Sequence, residues 1–157
     1  MPKPVYILAA QSWSLDQESG LSSYFHVVEG YEFTILPIDS DKHRTTIAQL
    51  SETANFVCVA VWMKTDGDLP SDEFEFVLSL LAPGKPEFVI AKGSFRFTKT
   101  FQRIGAKISL ASSPPGSGVM YLESRIRKTG ATQWLKQEFP IPVTVRSAES
   151  VAEQVDS

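Results

Sequence analysis

Among 157 residues there is one cysteine, Cys58, and there are two histidines, His26 and His43. A lone thiol closes no intrachain disulfide, so the chain does not belong with the small secreted domains stapled by such bonds. Cys58, His26 and His43 have no motif spacing, and a zinc site of Cys and His ligands is not expected. Basic charge is also short. Fifteen Lys and Arg stand against eighteen Asp and Glu, a net charge of −3. A protein that grips a phosphate backbone carries a basic stripe, so a nucleic-acid partner is not expected. Long apolar runs are missing too. Val5 to Ala10 is too short for a signal-peptide core, and nothing approaches the roughly twenty apolar residues that span a bilayer. The expectation is a cytoplasmic chain with no membrane partner.

What is present is an ordinary globular composition, 43% hydrophobic and 21% charged. At this length one domain can bury a sizeable core. The chain is organised around Asn55 to Lys64, which is apolar at both parities. Phe56, Cys58, Ala60 and Trp62 lie on one face of a strand, and Val57, Val59, Val61 and Met63 on the other. Such a strand belongs inside a sheet. The strands around it alternate instead. In Glu73 to Leu80, Phe74, Phe76, Leu78 and Leu80 share one face while Glu73, Glu75 and Ser79 face water. Ile104 to Leu110 alternates in the same way. Val119 to Arg127 turns Met120, Leu122 and Ile126 inward and Tyr121, Glu123, Arg125 and Arg127 outward.

Earlier in the chain, Pro4 to Ala10 and Leu21 to Val28 form a hairpin about the polar turn Asp16 to Gly20. Tyr31 to Ile38 is a third strand. Thr46 with Gln49 fits a capping box, and Ile47, Leu50 and Ala54 fit one face of a short helix over 46–54, with an irregular crossover as the alternative. In Glu87 to Phe97 the apolar parity shifts, which predicts a bulge or kink at Gly93. Pro140 and Pro142 remove two backbone donors from one side of Phe139 to Val145, which marks an edge strand. Leu21 to Val28 is expected at the opposite edge. About eight or nine short strands with at most one short helix predict an all-β antiparallel two-sheet sandwich, immunoglobulin-like or C2-like. Residues 1–146 form the domain and 147–157 a polar, frayed tail.

The opening strand with its polar hairpin, the two-faced Phe56 to Lys64, the turn at Pro83-Gly84, Gly118-Val119-Met120-Tyr121 and the Pro-x-Pro-Val strand give the chain a resemblance. It resembles an uncharacterised family of small bacterial and phage β-sandwich proteins of unknown function. Here Gln11-Ser12-Trp13 stands where the family carries an acidic residue. The resemblance implies the sandwich fold and brings no catalytic residues.

No constellation of side chains specifies a reaction. Cys58 with either histidine could pair a thiol with a base, but Cys58 lies between Val57 and Val59 in the most buried strand, the place of an inert core thiol. Glu73, Glu75 and Glu123 fall on wet faces where nothing separates an acid from a base, and Arg125 and Arg127 fit cross-strand ion pairs. The expectation is a protein that is not an enzyme and holds no cofactor or metal. Asp66 and Asp68, with Asp72 and Glu73, could gather around calcium, although Asp66-Gly67 is also an ordinary turn. Asp16 with Glu18, and Asp39 with Asp41, are weaker versions. Trp13 and Trp134 sit among polar neighbours, where a tryptophan can contact a sugar or a protein partner, or fold over the sandwich as a plug. The functional expectation is a non-enzymatic module that acts by association with a protein partner or with itself. The alternative is a sandwich that binds carbohydrate or calcium, through the tryptophans Trp13 and Trp134 or through the acidic 66–73 loop with Asp66 and Asp68.

The tail has polar residues and no apolar period, so deleting 147–157 is expected to change unfolding free energy by no more than about 0.5 kcal/mol. Urea denaturation checks this. A loss of several kcal/mol would mean that Val151 and Val155 dock on the domain.

Overall fold

In the computed structural model, residues 1–15, 22–35, 55–110 and 116–147 are described. They hold nine strands and, among the described residues, no helix: β1 Lys3–Leu15, β2 Ser22–Val27, β3 Tyr31–Ile35, β4 Asn55–Met63, β5 Glu73–Leu81, β6 Phe88–Arg96, β7 Phe101–Ser109, β8 Gly118–Lys128 and β9 Leu135–Ser147. The turn at 16–20, the expected helix over 46–54 and the tail beyond Ser147 fall outside the described residues.

Two sheets form, in the orders β2-β1-β4-β7 and β3-β9-β8-β5-β6. This is the expected two-sheet sandwich. One pair departs from the antiparallel rule, because β3 runs parallel to β9 over Tyr31↔Val143 to Ile35↔Ser147. That pairing also corrects the assignment of β9 as an edge strand and takes its last residue to Ser147. The proline argument holds for half of it. Pro140 and Pro142 pair with β8 on one side, and the described residues place no strand on the other until β3 arrives at Val143. The side without donors pairs with no described strand where the prolines stand, although Gly30 packs against Pro142, and pairing resumes beyond them. β2 is an edge, but of the other sheet.

β4 takes its place because both of its faces can be buried. Phe56 to Trp62 are all buried, between β1 and β7. Phe56, Cys58, Ala60 and Trp62 enter the main core with Phe74, Leu78, Met120, Leu122, Ile126 and Ile141 from the facing sheet. Trp62 is wholly buried, so its indole N–H must find an acceptor inside. It donates to Ser124 Oγ at 3.0 Å, across the sandwich. Gln137 stands beside it, its amide donating to the Tyr6 carbonyl oxygen at 3.1 Å and accepting from Trp62 Nε1 at 3.2 Å.

A two-layer sandwich buries only one face of each sheet, yet Val57, Val59 and Val61 on the outer face of β4 are buried as well. Tyr6, Trp13 and Tyr24 pack over them. The far ends of β1 and β2 supply Trp13 and Tyr24, and between the pairs Ala10↔Val27 and Ser12↔Phe25 sits His26 at a positive φ of 54°. A histidine in this region carries a conformational cost, which is tolerated where surrounding contacts fix it. The Tyr6 and Tyr24 hydroxyls bond at 2.7 Å, their rings edge to face. Burial, reinforced by that bond, pushes the Tyr6 hydroxyl up to about 12.

The parity shift in β6 is real but lies earlier than expected. Leu78 pairs with Ala91 and Ser79 with Val89, which leaves Ile90 as the extra residue of a bulge. Gly93 stays in register opposite Phe76. Its missing side chain makes room for the Phe76 ring, which a Cβ would meet at 3.0 Å.

The indole bond generates a test. Ser124→Ala removes one of the two acceptors that face the buried indole N–H and is expected to lower stability by about 0.5–1.5 kcal/mol. In a Trp62→Phe background the same change should cost almost nothing. Urea denaturation of the four proteins gives the coupling, and equal costs in both backgrounds would show that the bond does not hold the sheets together.

Candidate binding surface

The residues singled out in the sequence are dispersed by the fold. Cys58 has no exposed surface, and burial pushes its thiol up to about 12, so no thiolate is available for nucleophilic attack or metal binding. His26 is exposed, while His43 lies outside the described residues.

At one end of the sandwich, the loop between β4 and β5 and the turn between β6 and β7 enclose an open, polar recess of about 640 Å³, lined by Lys64, Asp66, Leu69, Phe97 and Lys99 among others. Asp68 lies in it but is already engaged. Its Oδ2 accepts from the Thr65 amide at 2.8 Å and the Thr65 hydroxyl at 2.9 Å, and its Oδ1 lies 2.9 Å from the Met1 ammonium. Burial works to raise this carboxyl, but those hydrogen bonds and the ammonium outweigh it and hold Asp68 below the usual range. Asp72 is bound to Lys128 and the Leu69 amide, and Glu73 accepts from Ser94. Asp66 is exposed. The four carboxylates are thus distributed over separate partners, and among the described residues no three acidic, His or Cys side chains converge on a common point.

Trp13 and Trp134 lie on opposite outer faces. Trp13 is half-buried over β4. Trp134 lies on the outer face of the other sheet, where the Arg127 guanidinium covers its ring at 4.4 Å from the centroid and Arg125 stands at 5.9 Å. Arg127 also binds Glu75, its register partner across β5 and β8, at 2.6 Å. This is the cross-strand ion pair that the sequence predicts. Glu123 corrects the wet-face reading, for it is only 4% exposed. Its oxygens lie 2.7 Å from Lys136 Nζ and 3.0 Å from Arg125 Nε. Glu123, with Glu138, holds the Lys136 ammonium above its usual range. A ring capped by arginine, among mutually neutralised charges, offers little free face to a sugar.

The surface that sequence reasoning missed is the side of the sandwich where β7 and β6 end their sheets. Among the described residues no strand pairs with the outer edge of either. Nine consecutive residues of β7, Phe101 to Ser109, pair in unbroken register with β4. Of the other edges, β6 is broken at Ile90, β2 carries the turned backbone of His26, and β3 pairs over five residues. Near Ser109 the two sheets part to form an apolar cavity of about 190 Å³, lined by Leu80, Ala82, Pro86, Phe88, Ile108 and Leu110 among others. Phe88 is 63% exposed beside it. Residues 85–110 also hold six cations, Lys85, Lys92, Arg96, Lys99, Arg103 and Lys107, against the single carboxylate of Glu87. In an acidic chain this is a strong local reversal. The run is legible in the sequence once counted by segment.

The engaged state of Asp68 sets a pH dependence. A carboxyl held low in the folded state contributes stability in full above its ordinary value of 3.8, and loses it as pH falls through the folded value. Wild type is therefore expected to lose stability more steeply below that value than Asp68→Asn, as read from urea midpoints across the acid range. Parallel curves would mean that the carboxylate is not held by these bonds.

Compared with known proteins, the chain matches no family model and no curated protein.

Proposed function

We propose that this chain is a non-catalytic binding module that associates with a protein partner by strand addition at the open side of the sandwich. The observation that supports this reading is the edge of β7, nine residues long, in register throughout and free of proline or bulge. An edge of this kind presents a row of main-chain donors and acceptors, and natural sandwiches blunt such edges unless they use them. The other edges are shortened, bulged or bent, as a blunted edge is. The sequence marks Leu21 to Val28 as an edge, but this reading puts the association at β7. The arginine-capped ring of Trp134 and the engaged carboxylates of Asp68 and Asp72 favour this reading over carbohydrate or calcium binding. No helix among the described residues is long and apolar enough to cross a membrane. A single buried thiol fits the reducing cytoplasm, where this reading places the chain.

In a strand the backbone N–H groups of neighbouring residues point to opposite sides, so one of Gly105 and Ala106 donates away from β4. Of Gly105→Pro and Ala106→Pro, one should melt close to wild type and the other should be strongly destabilised. The folded variant is expected to lose the proteins that wild type retains from a lysate of the native host. Retention of the same proteins would place association elsewhere.

A further inference from the structure

We propose that the strand accepted by β7 is an extended acidic segment in which Asp or Glu alternates with aliphatic or aromatic residues. This rests on the strand-addition reading and names the chemistry of the partner. A strand laid along β7 continues both faces of its sheet, because side chains alternate across a strand. On the outer face it would lie beside Arg103, Gly105 and Lys107, the register partners of Val61, Val59 and Val57. Arg103 is already engaged with the Tyr6 hydroxyl, but Lys107 is exposed and asks for a carboxylate, with glycine leaving room beside it. On the inner face it would continue the row Ile104, Ala106 and Ile108, which belongs to the core. Its side chains there would point into the gap between β7 and β6. That gap ends in the cavity of about 190 Å³. A dry cavity of roughly 150 Å³ suffices for a benzene ring, so one leucine- or phenylalanine-sized side chain fits. Lys92 and Arg96, the register partners of Val77 and Glu73, stand on the outer face of β6 and turn away from the gap. Main-chain bonds would supply affinity, and the cavity and Lys107 would supply selectivity.

Two other occupants suit the edge less well. A second copy pairing antiparallel about Gly105 would set Arg103 opposite Lys107, and like charges directly opposite are destabilising. A nucleic acid answers the cations but has neither main-chain groups in strand register nor an alternating apolar row.

The test is selection of binders from a displayed library of random peptides the length of β7, with a short single-stranded DNA as a second probe. Amide exchange of the whole chain is followed by NMR as each selected peptide is added. The expected result is an enriched pattern of alternating acidic and apolar residues, with new protection at every second amide of Phe101 to Ser109. Lys107→Glu should weaken binding of those peptides by roughly tenfold or more. Phe88→Ala, at an exposed position beside the cavity, should weaken it without lowering the melting temperature. Selected peptides that protect β7 yet share no acidic alternation would overturn this inference and leave strand addition standing. Peptides that bind without protecting β7, or no binders at all, would overturn both. Tighter binding of the DNA than of any peptide at physiological salt would overturn the acidic-strand assignment and give the cations to a nucleic acid.

Discussion

A wholly buried indole needs an acceptor, and the position of Trp62 makes the facing sheet supply it. Trp62 occupies an inner strand of the four-stranded sheet, and Ser124 answers from the middle strand of the five-stranded one. Apolar contacts alone would tolerate small slides of one sheet over the other, since burial is non-directional. A hydrogen bond in a dry interior is not so tolerant, because a lost bond strands a polar group at a cost of about 1–3 kcal/mol. The indole therefore sets the register in which Phe56, Phe74, Leu122 and Ile141 interlock. Gln137, reaching from β9 to the Tyr6 carbonyl, extends the same constraint to the next pair of strands.

Once the sheets are locked, the two sides of the sandwich become unequal. Toward β1 and β2, the tyrosines and Trp13 close over the outer face of β4, and His26 bends the backbone of β2 at a positive φ. Toward β7 and β6 the described residues add no comparable cover. There the apolar cavity and the unbroken edge of β7 coincide, with Lys85 lining the cavity and Lys107 exposed on the edge strand. Each is commonplace alone. Their coincidence on one side, in a protein whose net charge has the opposite sign, is what the functional proposal draws on.

Much of the fold is legible in the sequence because burial leaves a period. β4 declares itself by apolar residues at both parities, and β5, β7 and β8 by alternation. Other features carry no local signature. The parallel pairing of β3 with β9 joins residues about a hundred positions apart, which no window of sequence reports. Pro140 and Pro142 reveal one unpaired side of β9 but not where the unpaired stretch stops. The bulge at Ile90 shifts the parity seen near Gly93, and glycine, the more familiar sign of irregularity, draws the inference to itself. Ser124 occupies a core parity in β8, the one visible hint of a polar partner, but nothing in a serine names the tryptophan it serves. The candidate side was hidden by averaging. A total of −3 conceals six cations between Lys85 and Lys107. Tryptophans and acidic turns drew attention first because their residue types are distinctive, and the fold separated them.

Among the described residues the outer edge of β7 is unpaired along its whole length, and the functional reading needs it to be open. Residue-resolved hydrogen exchange of the protein without any partner tests this most directly. The Trp62 indole and the amides of β4 should exchange only with global unfolding. Along Phe101 to Ser109, slow amides bonded to β4 should alternate with fast ones facing solvent. Uniform slow exchange through β7 would show that its edge is already covered, and would contradict the account.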